Sequence, residues 1–239
     1  MRAKFALLIA GAALFASSTA LAKPVPTPAP NLKLCGTYKP EEGDQELERK
    51  GPLPVPAKLR PIMAANRDFF AVRTLSGETF CLFAREWEET GPPTLLPDGR
   101  LLGFEWYGYE AGGYILIDRA SKGAKFDTGA KPASSPSGKR LASLEWSESG
   151  FGSLNGVLVL EIGPGALREL ARIGEMPEGL TDWRFDRWRG ENCVEISAIP
   201  FAAASESDGS APRGTPRIRY SVRPKGSIWT LAKAACPAA

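Results

Sequence analysis

Residues 97–106 read Pro-Asp-Gly-Arg-Leu-Leu-Gly-Phe-Glu-Trp, and residues 136–146 read Pro-Ser-Gly-Lys-Arg-Leu-Ala-Ser-Leu-Glu-Trp. Each opens on a Pro-x-Gly-basic turn, continues as an apolar strand and closes in Glu-Trp. Across a Gly-rich loop, each is followed by a second strong strand: Tyr114-Ile115-Leu116-Ile117-Asp118, and then Val157-Leu158-Val159-Leu160-Glu161. The turn chemistry is local. Proline fixes φ at the first turn position, Asp or Ser bonds the backbone just ahead, and Gly accepts a positive φ.

The turn glycines Gly99 and Gly138 recur at a spacing of about 40 residues, a period that points to propeller blades. Leu96-Pro97-Asp98-Gly99-Arg100-Leu101 resembles the Ser-Pro-Asp-Gly-Lys/Arg turn of WD40-like, TolB-type β-propeller repeats. Ser135-Pro136-Ser137-Gly138-Lys139 is a weaker copy without the Asp. The resemblance covers residues 94–162 and implies an all-β, compact propeller-like domain. From Leu34 to Ala239, about 40 residues per blade allow roughly five blades; a β-sandwich is the alternative. The matching Glu-Trp ends predict that Trp106 and Trp146 are equivalent. A turn signature of this kind folds a chain and specifies no activity.

Outward from the repeat, the chain reads as short strands and turns. Residues 68–84, 181–199 and 217–231 each read as a β-hairpin, and 166–173 as a return strand. Gly51 to Pro61 carries too many prolines for a central strand. Residues 23–33 form a Pro-rich leader, 34–239 a single domain, and 202–216 a mobile loop within it.

The start of the chain is a targeting signal. Arg2 and Lys4 precede the apolar run Phe5 to Phe15, and Ala20-Leu21-Ala22 is an A-x-A cleavage pattern. Residues 1–22 therefore read as a bacterial signal peptide, which implies a periplasmic or secreted protein. The run is shorter than the roughly 20 residues of a membrane span. Cleavage removes two of 30 cations and none of 27 anions, so the mature chain is nearly neutral. Neither nucleic acid nor an anionic membrane is then an expected partner.

Four cysteines remain: Cys35, Cys81, Cys193 and Cys236. An even count in an exported chain predicts disulfides, and the spacings favour Cys35 with Cys81 and Cys193 with Cys236. The sequence has no His. That excludes a Ser-His-Asp triad, a His general base and His-ligated zinc or haem, and no metal or cofactor is expected.

Two clusters stand out as candidate binding residues. The first is Tyr107, Tyr109 and Glu110, beside Glu105 and Trp106. The second is Trp183, Arg184 and Trp188, in the run Asp182 to Arg189. Strict alternation would put Trp183, Phe185 and Arg187 on one face and Arg184, Asp186 and Trp188 on the other. Exposed aromatics and Arg suit a partner surface. The reading is thus a non-catalytic module that binds a protein or glycan of the cell envelope. Its rivals are a carbohydrate-active hydrolase using Glu105, Glu110 and Glu148, and a structural envelope protein.

Overall fold

The computed structural model describes residues 29–39, 51–147, 149–205 and 212–237. The signal peptide, residues 23–28 of the leader and residues 206–211 of the long loop lie outside these. The described residues are all-β, with three short 3-10 helices and no α-helix. They form four antiparallel sheets in chain order, where chain length allowed roughly five. Among the described residues, loop and 3-10 segments connect the sheets and their strands.

The first sheet holds β1 (Met63–Ala65), β2 (Phe69–Arg73) and β3 (Thr79–Phe83). In the second, β4 (Glu89–Thr90) and β5 (Thr94–Leu95) share one edge of β6 (Leu101–Gly108), followed by β7 (Ala111–Asp118) and β8 (Ala124–Asp127). The third runs β9 (Ala133–Ser134), β10 (Arg140–Glu145), β11 (Gly156–Ile162) and β12 (Leu167–Ile173). The fourth runs β13 (Leu180–Trp188), β14 (Val194–Pro200), β15 (Ile218–Lys225) and β16 (Ile228–Ala232). All three expected hairpins form, and the stretch expected as a return strand is β12. Gly51 to Pro61 holds only the 3-10 turn Ala57–Leu59.

Alternation along the strands fills the spaces between successive sheets. Phe70, Val72 and Leu82 of the first sheet meet Leu102, Phe104, Ile115 and Ile117 of the second. Leu101, Tyr114 and Leu116 turn the other way, onto Leu141, Leu158 and Leu160 of the third. Ala142, Leu144, Val157 and Val159 then pack on Val194, Ile196, Tyr220 and Val222 of the fourth. Each large apolar side chain so buried contributes about 2 kcal/mol. Among the described residues no core cluster joins the first sheet to the fourth.

The two Pro-x-Gly turns form identical ladders. Gly99 N–H donates to Leu96 O and Leu96 N–H to Leu101 O; Gly138 N–H donates to Ser135 O and Ser135 N–H to Arg140 O. Leu101 therefore corresponds to Arg140, and Trp106 to Glu145. This corrects the expected Trp106–Trp146 equivalence. The third-sheet strand has one more residue between turn and Glu-Trp, and a one-residue stagger reverses the face. Trp106 packs toward the first sheet and Trp146 toward the fourth.

The two disulfides join the expected pairs, Cys35–Cys81 and Cys193–Cys236. The first ties the 3-10 turn Leu32–Cys35 against β3, where Asn31 N–H also donates to Thr79 Oγ1. Two such bonds fit an oxidising compartment. No helix among the described residues is long and apolar enough to cross a membrane.

Candidate functional site

β6 starts at a Pro-x-Gly turn, so its far end lies at the opposite end of the sheet. There Gly108 pairs with Ala111, making Tyr109-Glu110 a two-residue hairpin loop. Glu110 sits at φ 54°, a left-handed backbone that costs a non-Gly residue about 1–2 kcal/mol. Tyr109 is 74% exposed and Tyr107 48%. The loop between β10 and β11 reaches the same place through a parallel bridge between Gly112 and Gly152. It adds Phe151, 55% exposed. Three aromatic rings thus come from the β6–β7 hairpin and the β10–β11 loop bridged to it, although Phe151 is 44 positions away from Tyr107 in a Gly/Ser-rich run.

Fixed polar contacts hold this end in place. Glu145 Oε2 accepts from Leu154 N–H and Asn155 N–H, while Asn155 Nδ2 donates to Gly150 O and Gly152 O. Ser147 N–H returns a bond to Asn155 Oδ1. Glu145 therefore holds a loop. Tyr107 donates its hydroxyl to Glu105 Oε2 at 2.9 Å; that bond, with the charge of Glu105, raises the phenol above its ordinary range. Beneath the hairpin, Gly113 has no Cβ, and one there would sit 2.9 Å from Ser153 Cβ and 3.2 Å from Trp106 Nε1. Ser153 Oγ and Trp106 Nε1 are both buried without a hydrogen-bond partner.

Of the carboxylates in the hydrolase reading, Glu105 and Glu110 are exposed at this end. Glu148 lies outside the described residues. Among the described residues no three His, Cys, Asp or Glu side chains gather as metal ligands.

The second expected cluster divides. The β13–β14 pairing is interrupted by irregularities between Thr181 and Arg184 and between Phe185 and Arg187. Bulges reset a strand's alternation. Trp183, Phe185 and Trp188 consequently share the face toward the third sheet, a correction to the alternating assignment. Trp183 is 7% exposed and packs 5.2 Å from the Tyr220 ring. Trp188 Nε1 donates to Ala133 O of β9, and its ring meets Trp229 edge-on. Both tryptophans therefore join sheets. Arg184 alone of the three stays on the surface, paired with Asp182 at 2.9 Å.

The Pro-x-Gly end is a polar lock. Asp118, buried, takes Arg100 in a two-pronged pair at 2.7 Å and accepts from Ala120 N–H and Leu167 N–H. Burial pushes its carboxyl up, but Arg100 and the two amides outweigh that and hold it below the ordinary range. Arg119 donates to Arg73 O and Gly99 O. Glu191 accepts from Ser135 and Ser137, and those bonds lower its carboxyl. These groups are consumed in joining neighbouring sheets.

Compared with known proteins, the chain matches no protein-family model and no curated protein.

Proposed function

We propose that the chain is an exported, propeller-like binding module of the bacterial periplasm or exterior, and that it grips a protein partner with its hairpin end. The observation that carries this is that Tyr107, Tyr109 and Phe151, all exposed, lie on the β6–β7 hairpin and on the β10–β11 loop bridged to it through Gly112 and Gly152. Rigid exposed aromatics supply large contact area at small entropic cost, which is why such residues dominate binding energies. The β10–β11 loop is pinned by Glu145 and Asn155, so little ordering cost remains there on binding. Glu110 adds a carboxylate at a backbone position that favours Gly. The N-terminal targeting pattern and the two disulfides support export.

The test is retention of partners from envelope extract on the immobilised protein. Wild type should hold a defined protein that Tyr107→Ala/Tyr109→Ala/Phe151→Ala loses while melting at an unchanged temperature. Equal retention by both proteins would refute this reading. Glycan hydrolysis abolished by Glu105→Gln/Glu110→Gln would favour the hydrolase instead.

A further inference from the structure

We propose that the outward face of the fourth sheet binds an acidic polysaccharide, a linear chain of sugars carrying carboxylate or sulfate groups. The face is defined by register. Arg184 lies opposite Ser197 and Arg187 opposite Glu195, while Ser197 lies opposite Arg219 and Glu195 opposite Ser221. All point away from the third sheet. Two grooves run along this face. One, of about 520 Å³, is lined by Arg184, Arg187, Arg217 and Arg219 together with Asp186 and Glu195. The other, of about 910 Å³, carries Arg189, Arg223, Lys225 and Glu191 around an apolar stretch and extends from the β13–β14 turn to Pro237.

The charges on this face do not cancel. Glu195 is shared by Arg187 at 2.6 Å and Arg189 at 3.3 Å. Asp182 is shared by Arg184 at 2.9 Å and Arg217 at 2.7 Å. Each carboxylate faces two guanidiniums, so each triad keeps a positive charge. Arg219 and Arg223 form no ion pair among the described residues. Glu191, bonded by Ser135 and Ser137, and Asp186, bonded by Ser197 Oγ, add two carboxylates, against the three further cations Arg219, Arg223 and Lys225. On a chain that is nearly neutral once its signal is removed, this face holds a clear cationic surplus.

The chemistry selects the occupant. Guanidinium forks match carboxylate and sulfate geometry. A protein partner would need apolar anchors at the centre of the contact, where charge is normally depleted. The first groove is lined by arginine and carboxylate, and Phe185, its aromatic ring, packs into the core. Single-stranded nucleic acid would need exposed rings for stacking. Grooves edged by surplus guanidinium suit a linear polyanion, whose sugar rings can lie along Pro224, Leu231 and Ala232 of the larger one.

The experiment is calorimetric titration with a sulfated oligosaccharide and an oligouronate, beside a neutral oligoglucoside, poly-glutamate and single-stranded DNA. At least one acidic oligosaccharide should bind best of the five. Raising the salt from about 50 to about 200 mM should weaken that binding about tenfold or more. Arg219→Gln/Arg223→Gln should weaken it about tenfold. Lys225→Gln, at the exposed end of β15, should weaken it less. Tyr107→Ala/Tyr109→Ala should leave it unchanged, which separates this site from the hairpin end. No binding of either acidic oligosaccharide, equal binding of the neutral one, tighter binding of poly-glutamate or DNA, or undiminished binding by all the cation variants would overturn the proposal.

Discussion

Asp118 and Arg119, adjacent in sequence, tie three sheets together. Asp118 takes Arg100 of its own sheet and the Leu167 amide of the third, and Arg119 reaches the Arg73 carbonyl of the first. Asp118→Asn leaves Arg100 without its charge partner in a site where both side chains are largely buried, and should cost about 3 kcal/mol in denaturant unfolding. The pH dependence has a definite sign. The folded carboxyl lies below its ordinary value, so the unfolded chain binds the proton more readily. The contribution of Asp118 is therefore complete above about pH 4 and lost as the pH falls through the lowered folded value. Wild type should lose stability more steeply than Asp118→Asn over that window; parallel curves would contradict the assignment. Gly103 makes a second residue-level case, because a Cβ there would lie 2.7 Å from Tyr114 Cε1 and 2.8 Å from Cζ. Gly103→Ala should cost about 1–3 kcal/mol through overpacking, and an unchanged melt would show that the ring gives way. Neither role was legible in the sequence. Asp118 reads simply as the polar end of an apolar strand, and its partners Arg100 and Leu167 meet it only when three sheets assemble.

Among the elements, the Pro-x-Gly turns were the most legible part of the chain, because their whole cause is local. Asp98 Oδ1 accepts from Arg100 N–H at 3.0 Å, and Ser137 Oγ accepts from Lys139 N–H at 3.2 Å. Gly99 and Gly138 take φ 69° and 71° with open space around the missing Cβ. Gly99→Ala and Gly138→Ala should each cost about 1 kcal/mol, from backbone strain alone. The two costs should add in the double variant, since the turns belong to different sheets; markedly unequal costs would deny that they are the same device. The hairpins and the strand β12 were legible for the same reason, turn residues flanking β-branched and apolar runs. Faces were less so. The extra residue that staggers Trp106 against Trp146, and the irregularities that bring Trp188 onto the side of Trp183, each change a side-chain direction without leaving a mark in composition or period.

At the scale of the whole molecule, three filled interfaces join four sheets, and disulfides fasten the segments at Cys35 and Cys236 to them. Cys193–Cys236 ties the C-terminal tail to the start of β14. Replacing that pair by Ser should lower stability by about 2–4 kcal/mol by the loop-closure argument, and a melt indistinguishable from wild type would contradict it. Disulfide pairing was readable from cysteine order, and the all-β class from the repeat. The hairpin end was half-readable. Tyr107, Tyr109 and Glu110 lie together in sequence, whereas Phe151 joins them only through the bridge of Gly112 to Gly152. The cationic face was not readable at all, because its arginines are spread from Arg184 to Arg223 and meet only when β13, β14 and β15 pair. The central claim is that a protein partner binds at the hairpin end. A photo-crosslinking residue placed in living cells at position 109, at 151, and at the exposed Lys122 of the opposite end tests it most directly. Positions 109 and 151 should capture the same protein and position 122 should not; capture from 122 with none from 109 or 151 would contradict the account.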